Sequence, residues 1–127
     1  MAVLIKLSHN GLQGYLGKGS GEWACLVEKD RAARLVTKEQ SGQVFYGTED
    51  GWWLTVGTEG VRKGCVGFYA WNNAGWPNWR YDADNQRFNS DYGNGPMSLT
   101  VLYDGNIYCW AADGYAAADI QLETVAA

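Results

Sequence analysis

The chain has no run of about 18 apolar residues, the length a helix needs to cross a bilayer, so membrane insertion is not expected. Its first residues, MAVLIKLSHNG, lack the long apolar stretch and small-residue cleavage site of a signal peptide. A cytoplasmic location, or release without such a peptide, is the expectation. Basic residues are also in short supply: charged residues make up 19% of the chain and the net charge is −4. A protein that tracks a phosphate backbone carries a basic excess or stripe, so nucleic acid is not an expected partner. Histidine occurs once, at His9. One histidine leaves little for a histidine metal site or for a serine or cysteine paired with a base. There is no Gly-x-Ser-x-Gly, and GKGSG at 17–21 lacks the spacing of a phosphate-binding loop. The chain is therefore not expected to be an enzyme, and neither a metal nor another cofactor is expected. No helical periodicity extends beyond about two turns.

Glycine and aromatics are what the chain does have: 17 Gly, seven Trp and eight Tyr in 127 residues, with two Pro. That mixture predicts short strands joined by tight turns, in a single domain covering 1–127. Similar stretches recur. QVFYGTEDGWWLTV from Gln43 and QRFNSDYGNGPMSLTV from Gln86 share Gln-x-Phe, a Gly-bearing polar turn and Leu-Thr-Val. AVLIKLSHNGLQGYLG has the same outline at the N-terminus. Three units follow, at 1–42, 43–85 and 86–127, each predicted to hold four strands. In the first these are 3–7, 14–18, 24–29 and 33–39; in the second 43–47, 53–57, 65–71 and 78–82; in the third 86–90, 98–102, 107–111 and 119–124. An all-β fold is predicted: a β-trefoil of three four-stranded repeats with pseudo-threefold symmetry, its units closing a six-stranded barrel capped by hairpins. A β-sandwich or another barrel is the alternative.

Cys25, Cys65 and Cys109 each fall in the third strand of a unit, beside apolar residues. The repeat predicts three equivalent core positions in which cysteine acts as a small hydrophobe. After each cysteine comes a polar residue at the head of a turn: Asp30, followed by Arg31; Asn72, followed by Asn73; and Asp113, followed by Gly114. Asp and Asn cap turns with their own side chains. They also accept hydrogen bonds from sugar hydroxyls, and an adjacent ring can stack on a sugar's apolar face. Trp76 and Tyr115 supply such rings in the second and third units, and Arg31 stands in their place in the first. Trp76, between Gly75 and Pro77, is hard to bury and so is a candidate binding residue.

In layout the whole chain resembles the β-trefoil lectins. Gln43-Val-Phe45 and Gln86-Arg-Phe88 resemble the Gln-x-Trp of ricin-type lectins, and CWAADGYAAADIQLE is similar to their third-unit run. LIKLSHNGLQGYLGKGSGEWACLVEKD looks like the repeat of mussel-type trefoil lectins. The resemblance implies sugar-binding acids at Asp30 and Asp113, a counterpart at Asn72, and a Gly-rich turn around Lys18. The function expected is a lectin with up to three similar shallow sites for glycans or glycoconjugates, multivalent and without catalysis. Oligomerisation stays open. The alternative is a trefoil protease inhibitor, or another protein-binding module, acting through the Trp-rich loop 71–81.

Overall fold

The computed structural model describes residues 2–58, 60, 63–70, 78–90, 97–102, 104–110 and 117–126. Their strands are β1 (Ala2–His9), β2 (Leu12–Lys18), β3 (Ala24–Val27), β4 (Val36–Gln40), β5 (Gln43–Gly47), β6 (Trp52–Val56), β7 (Val66–Ala70), β8 (Arg80–Asp82), β9 (Arg87–Ser90), β10 (Met97–Val101), β11 (Ile107–Trp110) and β12 (Asp119–Val125). Every strand expected from the sequence has its counterpart, with ends displaced by a few residues. β3 stops early because the chain enters a 3-10 turn at Lys29–Arg31.

The strands form three four-stranded antiparallel sheets, ordered β12-β1-β2-β3, β4-β5-β6-β7 and β11-β10-β9-β8. This corrects one expectation: the sheets are not a single barrel. Nor do they coincide with the three units. The last strand of each unit pairs instead with the first strand of the next, and β12 returns to pair with β1 along Ala2–Ser8. The turns explain why. Between Gln40 and Gln43 stand Ser41 and Gly42, both at positive φ (54° and 79°). Asn10 and Gly11, at 50° and 84°, do the same between β1 and β2. Two central residues at positive φ give the turn whose twist matches antiparallel strands, so β4 must fold back on β5 across the boundary.

One cross-strand register recurs in all three sheets. Leu16 pairs with Leu26, Leu54 with Phe68, and Leu99 with Cys109. One step back, Tyr15, Trp53 and Ser98 face Lys6, Gly47 and Asn89. The matching inward positions on the first strands are therefore Ile5, Tyr46 and Phe88, all in the core. The Gln-x-Phe alignment is thus off by one residue: Tyr46, not Phe45, corresponds to Phe88. A one-residue slip turns a strand's side chains to the opposite face. Phe45 indeed packs elsewhere, edge-on to Trp53 at 6.4 Å.

Main-chain bonds between sheets repeat as well. Val3 and Leu35 exchange bonds of 2.8 and 2.9 Å, Trp79 N–H donates to Val44 O at 2.9 Å, and Ile120 N–H donates to Gln86 O at 2.9 Å. At the other end, Phe68 N–H donates to Glu22 O, Cys109 N–H to Gly64 O, and Leu26 N–H to Gly105 O. Leu16 O and Leu99 O accept from the amides of Ala33 and Ala118, each two residues before a buried Leu35 or Ile120. Two residues before Trp79 the sequence has a proline, which has no N–H to give. There Leu54 O accepts the Trp79 indole N–H at 2.8 Å instead. The same indole stacks on Phe88 with centroids 5.0 Å apart.

The register also separates the cysteines. Isolated bridges pair Trp23 with Gly67, Cys65 with Tyr108, and Asn106 with Cys25. Cys65 thus takes the place of Trp23 and Asn106, Cys25 that of Gly67 and Tyr108, and Cys109 that of Leu26 and Phe68. The three are not equivalent, contrary to expectation, because the spacing between them differs by enough to shift each along its strand. Cys109 is fully buried, and burial pushes its thiol up to about 12. Cys25 and Cys65 are half-buried.

Candidate functional site

The first sheet and the 3-10 turn enclose an open cleft of about 710 Å³. Its geometry begins with two glycines on β2. A Cβ on Gly14 would stand 2.8 Å from Leu26 Cγ and 2.9 Å from Val27 O, and one on Gly17 would stand 3.1 Å from Arg31 O. The missing side chains let β3 and the turn draw close to β2. The turn is closed by Arg31 N–H to Glu28 O at 3.0 Å and Ala32 N–H to Lys29 O at 3.2 Å. The side chains on the walls are Lys6, Gln13 and Tyr15 on one side and Leu26, Val27, Glu28, Lys29 and Arg31 on the other.

A three-residue network braces this cleft. Tyr15 Oη donates to Glu123 Oε1 at 2.7 Å, and Lys29 Nζ lies 3.1 Å from Glu123 Oε2. Lys29 Nζ is 5.9 Å from the Tyr15 ring centre. The Tyr15 hydrogen bond, with Lys29, holds the Glu123 carboxyl below its usual range. The same bond raises the Tyr15 phenol, and Glu123 raises the Lys29 ammonium. All three groups therefore keep their ordinary charge states at neutral pH, and their contacts link β2, the 3-10 turn and β12. Lys6 and Gln13 also line an adjoining depression of about 220 Å³ with Ser8, Gln86, Asp119 and Gln121. The two form a polar strip across β12, β1 and β2.

Arg31 is thus placed on the cleft wall. Asp30, exposed between the cleft residues Lys29 and Arg31, does not line it. Lys18 is elsewhere: its Nζ lies 4.7 Å from the centre of the Trp52 ring on β6 of the neighbouring sheet. In the repeated register Lys18 occupies the place of the buried Val56 and Val101. Its aliphatic stem and ammonium fit a cover over an aromatic face. Asn72, Asn73, Trp76, Asp113, Gly114 and Tyr115 lie outside the described residues. So does most of the Trp-rich loop. Sequence reasoning missed Lys6, Tyr15, Lys29 and Glu123. Tyr15, an aromatic flanked by the strand glycines Gly14 and Gly17, was a usable signal; Glu123, 108 residues from Tyr15, gave none.

Among the described residues no three His, Cys, Asp or Glu side chains gather as metal ligands, and no helix is long and apolar enough to cross a membrane. Comparison of the chain with protein-family models, with characterised proteins and with solved structures returns no match.

Proposed function

We propose that the protein is a carbohydrate-binding β-trefoil that acts by binding alone. The trefoil reading is supported by the order in which six strands alternate ladders with single bridges or bonds: β1, β4, β5, β8, β9, β12 and back to β1. The observation that carries the sugar-binding reading is the cleft beside the 3-10 turn. It is open, and its walls mix donors and acceptors from Lys6, Gln13, Tyr15, Glu28, Lys29 and Arg31 with the apolar surface of Leu26 and Val27, the two kinds of contact that a sugar's hydroxyls and ring face need. Sugar hydroxyls are recognised by such groups in numbers, through both donated and accepted bonds. A braced wall lowers the entropy lost when a flexible ligand is held. Asp30 is the exposed neighbour of the cleft residues Lys29 and Arg31 on the 3-10 turn and does not itself line the cleft. Up to three sites are proposed, one per unit, and their chemistry differs because the residues facing each other across the first two strands differ: Lys6 and Tyr15, Gly47 and Trp53, Asn89 and Ser98. A glycan array followed by calorimetry tests the reading. Binding of at least one glycan, weakened in Gln13→Ala with the thermal midpoint unchanged, is the expected result. An array without a hit would overturn it.

A further inference from the structure

The cleft of the first unit concentrates positive charge on a chain whose net charge is −4. Lys6, Lys29 and Arg31 line it, against Glu28 as the carboxylate on its walls. Glu123 behind the wall is already engaged by Tyr15 and Lys29. Among the described residues, neither the Lys6 ammonium nor the Arg31 guanidinium has a carboxylate within ion-pairing distance. Both cations line the same open space without a direct ion pair, Lys6 acting only at longer range on the Glu123 carboxylate. The equivalent strand pairs of the other units carry no cation: Gly47 faces Trp53, and Asn89 faces Ser98. In the second unit the nearest cation, Lys38, lies 5.9 Å over the Trp53 ring, so a pair of cations lining one open cleft is particular to the first unit among the described residues.

Resting on the sugar-binding reading, we propose that this cleft selects sugars bearing a carboxylate or sulfate group, with Arg31 and Lys6 receiving the anion. A guanidinium offers paired N–H groups in a plane, which matches the oxygens of either group, and Lys6 adds a point charge. Gln13 supplies a neutral donor and acceptor beside them for ring hydroxyls.

Calorimetry on the whole chain tests this with four probes: methyl glucuronide, its neutral methyl ester, galactose 6-sulfate and galactose. The acidic member of at least one pair should bind roughly tenfold or more tightly than its neutral partner, the size expected of one charge-assisted contact. The preference should shrink as salt is raised. Arg31→Gln and Lys6→Gln should each remove most of it, Arg31→Lys should restore part, and Lys63→Gln should leave it intact. The two pairs separate carboxylate from sulfate as the recognised group. Equal binding of acidic and neutral partners, or a preference that survives both Arg31→Gln and Lys6→Gln, overturns the proposal and leaves sugar binding standing. Failure of all four probes, together with an array without a hit, removes the sugar-binding reading and the proposal with it.

Discussion

Gly67→Ala isolates one physical cause. Gly67 sits in β7 with a backbone conformation that any residue can adopt, since its φ is not positive. Cys25 and Tyr108 hold the matching positions of the other sheets, so the strand itself accepts a side chain there. What Gly67 faces is different. A Cβ would lie 2.5 Å from Glu22 O and 2.9 Å from the Tyr69 ring and hydroxyl. Glu22 O is a backbone atom, and it accepts the 2.7 Å bond from Phe68 N–H that ties the first sheet to the second. To admit the methyl group the carbonyl must retreat and that bond must lengthen. Overpacking of this kind costs about 1–3 kcal/mol. A weakened buried main-chain bond adds about 1 kcal/mol. The sum, about 2–4 kcal/mol, corresponds to a fall in thermal midpoint of roughly 6–16 °C for a domain of this size. Urea unfolding of Gly67→Ala and wild type measures it, with the slope checked for constancy. A destabilisation below about 0.5 kcal/mol would mean that the contact yields freely, and the argument from close approach would fail.

Three further outcomes are expected. Gly11→Ala meets no atom within 4 Å but sits at φ 84°, so its cost should be backbone strain alone, about 1 kcal/mol by the same unfolding assay and clearly less than Gly67→Ala. Trp79→Phe should cost about 2–4 kcal/mol, because it shrinks a fully buried ring and strips Leu54 O of its donor; a value under 1 kcal/mol would show that another group takes over the bond. Glu123 is held below its ordinary value of 4.5, so the folded state binds its proton less tightly than the unfolded state does. Its contribution is present above that value and fades as pH falls through the lower, folded one. The gap in urea midpoint between wild type and Glu123→Gln should therefore close on acidification from roughly pH 6 to 3, and a gap constant over that range would contradict the assigned network.

Local chemistry made much of the architecture legible. Alternation in ARLVTKE puts Leu35 inward at 1% exposure with Val36 on the other side, and the Asn-Gly at 10–11 marks a hairpin that the structure contains. Leu-Thr-Val at 54–56 and 99–101 also aligned the second and third units correctly. The neighbouring Gln-x-Phe misled by one position, because identical letters on adjacent strands say nothing about which face is buried.

What the sequence determined by itself was the count and order of short strands, the turns between them and the threefold recurrence, since each depends on residues within a few positions of one another. The tertiary structure decided which strands share a sheet, how the three cysteines differ, and which side chains make the cleft. Those outcomes rest on contacts between distant segments: β12 against β1, Glu22 against Phe68, Glu123 against Tyr15. A contact of that kind is fixed by register and close approach in three dimensions, and neither partner carries a mark of it in its own stretch of chain.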